Sequence, residues 1–184
     1  MVYDKKKILP LDIKRLTISF LNGNRDQKNY LRRKWDIIEY HMRGQLDLWW
    51  LSKGGQISIQ FVKDGRSQSA IGLDGLGSYK ERQKASMQIN NNHAKDHRII
   101  LHESTHMIGC KHQHDEAKLL KDSDRFGVNV SQDVDSITRY RQAGEKRNYY
   151  LSLGDIDFLH RYDEFRAIGE QWRRDEAKRR GRSL

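Results

Sequence analysis

Apolar and polar positions alternate along residues 14–21, with Leu16, Ile18 and Phe20 set against Arg15, Thr17 and Ser19, which predicts a half-buried strand. Asn22, Gly23 and Asn24 end the alternation as a turn. Between residues 26 and 43, Leu31, Trp35, Ile38 and Met42 recur at steps of four, three and four, one apolar face of a helix that Gly44 stops. Residues 46–51 fit a short strand or a buried loop, with Trp49 and Trp50 in the core. After a turn at Gly54 and Gly55, Ile57, Ile59 and Phe61 alternate along a second strand at 56–62. Weaker strands are expected at 69–72 and 85–90, separated by a loop containing Gly72, Gly75 and Gly77. No lysine and hydroxyl residue follow these glycines at phosphate-loop spacing.

A second helix is expected from Asp96, whose carboxylate can cap free amides, to Gly109, with Ile100, Leu101, Met107 and Ile108 on its core side. Residues 113–133 are polar without a clear period and fit a surface excursion. Ser152 and Asp155 have capping-box spacing for a last helix, whose apolar face is Phe158, Tyr162, Phe165 and Trp172.

At 184 residues, 36% of them hydrophobic and 33% charged, the chain suits one soluble domain, or two small lobes sharing a cleft. No apolar run reaches membrane-spanning length. The first ten residues carry lysines without a following apolar segment, so no secretion signal is expected and the protein reads as intracellular or non-classically exported. The single cysteine, Cys110, excludes an internal disulfide and a cysteine-rich zinc module; it reads as a small buried residue, with contact to a nearby metal as the alternative. The net charge of +10 raises nucleic acid, anionic membrane or an acidic protein as partner, but much of it lies in terminal runs. Without a binding motif beside the charge, specific nucleic-acid recognition is not expected.

The chemistry concentrates in residues 102–112, HESTHMIGCKH. His102 and His106 stand one helical turn apart and can aim two imidazole nitrogens at one ion, with Glu103 flanking the same spot. Gly109 can turn the chain back at positive φ so that His112 reaches the ion from another direction. Three neutral nitrogen ligands leave a fourth tetrahedral position open, the arrangement of one catalytic Zn2+ ion, and Glu103 is the candidate base. The other reading of these residues is a histidine-rich amphipathic surface helix.

This HExxHxxGxxH pattern resembles that of the metzincin zinc endopeptidases. Gln113 and His114, residues 135–140 (DSITRY) and residues 151–156 (LSLGDI) are similar to segments of the astacin-like branch. The resemblance implies an α/β (α+β) fold with a twisted, mostly parallel N-terminal sheet and two helices, an active-site helix, and a smaller irregular C-terminal lobe ending in a helix. It implies a single catalytic domain over residues 1–184, with lobes at about 1–109 and 110–184. It also implies His102, His106 and His112 as zinc ligands, Glu103 as general base and acid, and Tyr140 as a phenol that hydrogen-bonds the oxyanion.

Three departures from the family pattern stand out. Thr138 occupies the place of the methionine beneath the zinc, and no methionine follows Met107; its hydroxyl needs a partner and could loosen the site. Gln113 replaces a glutamate that receives the mature N-terminal amine, which implies an enzyme not activated that way. Only 22 residues separate His112 from Asp135, and the family's disulfides are absent. The function expected is hydrolysis of peptide bonds in protein or peptide substrates, with acidic ones a candidate class and the edge at residues 86–90 a candidate substrate strand. The alternatives are a catalytically weak or inactive binding protein on this scaffold, using its basic surface, and a zinc hydrolase of a non-peptide amide or ester.

Overall fold

A computed structural model of the chain describes residues 2–112, 136–138 and 150–181. Its strands are β1 (Val2–Tyr3), β2 (Arg15–Phe20), β3 (Asp47–Leu51), β4 (Ile57–Val62), β5 (Gln68–Ser69), β6 (Met87–Asn90) and β7 (Cys110–Lys111). Its helices are α1 (Arg25–Met42), α2 (Ser78–Arg82), α3 (His97–Met107), α4 (Leu153–His160) and α5 (Tyr162–Arg179). The order in the main sheet is β3-β2-β4-β6-β5, all parallel except β5, which runs antiparallel to β6. This is the mixed α/β fold, with a mostly parallel sheet, that the sequence suggests.

The two-residue period decides which face of the sheet is covered. Leu16, Ile18, Ile57, Ile59, Phe61, Met87 and Ile89 are buried on one face and paired in register, Ile18 beside Ile57, Ile59 beside Met87 and Phe61 beside Ile89. Helix α1 contributes Leu31, Trp35, Ile38 and Met42 to the same core, and α3 contributes Ile100, Leu101 and Met107. A capping box starts α1: the Asn24 side chain accepts the Gln27 N–H at 2.9 Å while Gln27 accepts the Asn24 N–H at 2.9 Å. Arg43 and Gly44, both at positive φ, end it.

Several expectations need correction. Residues 47–51 are a strand, but Trp49 is 47% exposed, because alternation on β3 puts Leu48 inside and Trp49 out, where the Arg15 guanidinium stacks on it at 3.5 Å. The glycine-rich loop contains a 3₁₀ turn at Gly72–Gly75 and α2. Strand β5 is only two residues long, and it, rather than residues 86–90, forms the edge, because β6 lies between β4 and β5. The last helix is two: α4 gives way to α5 at Arg161, while Phe158 and Tyr162 stay buried on the shared apolar face.

The ends of the chain meet around a buried cation. Arg166 on α5, fully buried, donates to the carbonyls of Leu9 (3.2 Å), Gln45 (3.0 Å), Ile13 (2.7 Å) and Pro10, and pairs with Asp163 at 2.7 Å. The guanidinium's five donors are thus matched to a cluster of acceptors, most of them from distant stretches of the chain. Strand β1 pairs antiparallel with β7, Tyr3 opposite Cys110, beside the end of α3.

Candidate metal centre

Helix α3 begins where the Asp96 carboxylate accepts the Ile99 N–H at 3.0 Å, and its buried apolar side fixes which way the polar side looks. His102 (5% exposed), Glu103 (6%) and His106 (3%) are nonetheless buried, because the cleft side is covered too. Gly109 stands at φ +107°, and a Cβ there would lie 2.8 Å from the Ile8 Cα, so only glycine makes this turn against the N-terminal segment. The reversal returns the chain as β7 and brings His112 back to the helix.

The three Nε2 atoms converge: 3.1 Å between His102 and His106, 2.9 Å between His102 and His112, and 2.7 Å between His106 and His112. Among the described residues these three form the group able to hold a metal. The tautomers follow from the other side of the rings. His102 Nδ1 lies 2.9 Å from the Ile137 carbonyl and His106 Nδ1 lies 2.7 Å from the Cys110 carbonyl. A carbonyl only accepts, so each Nδ1 carries the proton, and in the neutral rings each Nε2 presents a bare lone pair to the others. Burial holds the His106 imidazole below its ordinary pKa, which keeps that ring neutral. Facing lone pairs repel unless a cation lies among them. A tetrahedral set of nitrogens about 2.1 Å from zinc sits about 3.4 Å apart, a few tenths of an ångström wider than the spacing here, so the donor set fits such an ion.

Burial pushes the Glu103 carboxyl up to about 7, against the pull of a hydroxyl that donates to it. That hydroxyl is Ser69 on the edge strand, 2.7 Å from Glu103 Oε2 and 2.9 Å from the Glu103 main-chain carbonyl. Sequence reasoning did not find Ser69: it is 34 residues away, on a strand too short to show a period.

Residues 136–138 pass beneath His102. Asp155, fully buried at the start of α4, accepts from the Ile137 N–H (2.8 Å), the Ser136 hydroxyl (2.7 Å) and the Ser152 N–H (3.0 Å). One carboxylate therefore closes a capping box and holds the segment whose carbonyl orients a candidate ligand. Thr138 is fully buried, and its hydroxyl has the partner it needs in Ser136 Oγ at 2.9 Å. The loosening expected from an unpartnered threonine is not what the packing around it presents. Cys110 is buried, and its contribution at the site is the carbonyl that fixes His106; burial pushes its thiol pKa well up.

Tyr140, Gln113 and His114 lie outside the described residues. His41 pairs with His160 at 3.4 Å, His93 with the Ser67 hydroxyl at 3.0 Å, and the His97 ring meets Tyr150 edge-on at 5.5 Å, all away from the triad.

No family model matches the chain, and no curated protein matches it in sequence. Solved structures do match in fold. Two structures of myroilysin superpose with TM-scores of 0.63 and 0.61 at 18% identity, each covering 86% of this chain and, respectively, 95% and 86% of the other. High choriolytic enzyme 1, a hatching-enzyme zinc-protease of the medaka fish Oryzias latipes, superposes with a TM-score of 0.52 at 14% identity, covering 84% of this chain and 92% of its own.

Proposed function

We propose that this chain is a zinc-dependent metalloendopeptidase of the metzincin, astacin-like type, acting as one two-lobed catalytic domain on protein or peptide substrates. The observation that carries the reading is the convergence of three Nε2 atoms beside a buried glutamate. The shared fold with a zinc-protease supports it, as does the HExxHxxGxxH pattern.

His102, His106 and His112 would hold the ion, with the Ile137 and Cys110 carbonyls fixing the orientation of the first two. Zinc bound there supplies Lewis acidity toward a water and a peptide carbonyl. Glu103 takes a proton from the water as its oxygen adds to the carbonyl carbon, and delivers it to the amine nitrogen as the tetrahedral adduct collapses and the C–N bond breaks. Its raised proton affinity suits both halves of that transfer, and Ser69 holds the carboxylate in place for it. Tyr140 is assigned, from its sequence segment, the role of hydrogen-bonding the developing oxyanion.

Digestion of a peptide library by the zinc-loaded protein, with and without chelator, tests the reading. Chelator-sensitive cleavage of internal peptide bonds is expected. Zinc bound at one equivalent with no peptide cut would overturn it in favour of a binding protein on this scaffold, and cleavage confined to small amides or esters in favour of another hydrolase.

A further inference from the structure

We propose that His41 and His160 form a second, weaker site for a divalent transition metal, which ties helix α1 to helix α4; the inference goes beyond the peptidase reading and does not depend on it. Both rings are half-buried, and each turns one nitrogen to the other, His41 Nδ1 lying 3.4 Å from His160 Nε2. That is longer than the roughly 2.7–3.2 Å of a well-formed N–H hydrogen bond. It is the separation of two nitrogens that each stand about 2.1 Å from one zinc ion at the tetrahedral angle, about 3.4 Å. Imidazole suits zinc, nickel and copper alike, with copper the tightest at a given nitrogen site.

A single carboxamide fixes the backbone beside both rings. Gln45 Nε2 donates to the Met42 carbonyl at 2.6 Å on the α1 side, and to the Leu159 and His160 carbonyls at 3.1 and 3.0 Å on the α4 side. Its Oε1 accepts the Asp163 N–H at 2.6 Å, and its main-chain carbonyl accepts from Arg166 at 3.0 Å. An ion therefore meets two ligands already set at the right spacing, which spares the cost of ordering them.

The local field also suits a cation. His41 lies in the last turn of α1 and His160 is the last residue of α4, so two helices bring the negative ends of their dipoles to the pair. Helix α5 starts two residues on, where Asp163 and Glu164 in its first turn answer its positive end. Arg161 is engaged by Glu164 at 2.8 Å and Asp157 at 3.6 Å, and Arg43 is the charge that opposes the ion. The described residues bring no third histidine, cysteine or carboxylate to the pair, so water completes the shell and the ion is held less tightly than by three imidazoles. Without metal, one ring donates to the other. When the ion binds, that proton moves to the far nitrogen of its own ring, which leaves both rings neutral and both facing lone pairs on the metal.

The test counts zinc bound in equilibrium dialysis by the unaltered protein, His41→Gln and His160→Gln. Two equivalents are expected for the unaltered protein, the second weaker, and each variant should keep only the tighter one. With free zinc a hundredfold above the second Kd, Tm should stand roughly 5–11 °C higher than at one equivalent, a gain absent from both variants. Imidazole nitrogen NMR of the unaltered protein gives a readout that does not depend on how the variants fold: the second equivalent should shift His41 Nδ1 and His160 Nε2. A single equivalent that both variants keep, a second one that persists at full affinity in either variant, or shifts at other histidines instead would overturn the site. A single equivalent that both variants lose would sustain the pair and leave the triad, and with it the peptidase reading, without its ion.

Discussion

Asp155 and His102 lie on either side of one residue: the carboxylate accepts the Ile137 N–H at 2.8 Å, and the Ile137 carbonyl faces His102 Nδ1 at 2.9 Å. The relay places a residue of α4 in control of an imidazole on α3. Outer partners of metal-binding histidines are commonly worth about 10–100-fold in metal affinity. Asp155→Ala should weaken zinc binding by about that factor, read by competition with a chromophoric chelator, and should broaden the visible spectrum of the cobalt-substituted protein. Unchanged affinity and spectrum would show that the segment at residues 136–138 holds its place without the carboxylate.

Glu103→Gln should eliminate hydrolysis while zinc content stays at one equivalent. The same variant reads the strain of burying this acid. Its pKa in the folded protein, about 7, lies above the ordinary carboxylate value of about 4.3. The contribution of Glu103 to stability is therefore present in full below that ordinary value and is lost as pH rises through about 7. In chelator-treated protein, Tm should fall more from pH 4 to pH 8 for the wild type than for Glu103→Gln.

The His41–His160 pair predicts the opposite slope at the α1–α4 interface. Burial, with help from His160 and Arg43, holds the His41 imidazole below its usual range. The unfolded chain accepts a proton near pH 6.5 that the folded chain resists. Stability from this group is thus present above about pH 6.5 and lost as pH falls through the folded value. His41→Gln should flatten the urea-unfolding midpoint between pH 7.5 and pH 5.

Arg166→Met keeps an unbranched apolar stem and strips the donors from four main-chain carbonyls and from Asp163. Removing one partner from such a cluster costs about 3–5 kcal/mol, which in a chain of this size lowers Tm by roughly 6–20 °C. Calorimetry of the metal-free and zinc-loaded forms measures it; a loss below about 1 kcal/mol would mean that water replaces the guanidinium.

What could be read from the chain alone was what repeats along it. The apolar steps of α1, the alternation of β2 and β4 and the one-turn spacing of His102 and His106 are local, and tertiary packing reinforced each of them. Ser69, the hold of Asp155 on residues 136 and 137, beyond its capping box, and Arg166 could not be read that way. Their partners lie 34, 18 to 19 and up to 157 residues distant, and a lone serine, aspartate or arginine has no period. Trp49 misled because size suggested burial, whereas its place on the pleat decided its exposure. The last helix was drawn as one because its apolar face continues across the break at Arg161.

The guanidinium of Arg166 carries a consequence for how the protein is made. The backbone oxygens it serves, in the first quarter of the chain, must wait during translation until nearly the last stretch has emerged. The nascent polypeptide can coil the histidine-bearing helix early, but the floor that steadies its imidazoles arrives with Asp155, almost as late. A product cut short before Asp155 would leave the Ile137 N–H without its carboxylate, and one cut short before Arg166 would leave the Leu9, Pro10, Ile13 and Gln45 carbonyls without the guanidinium.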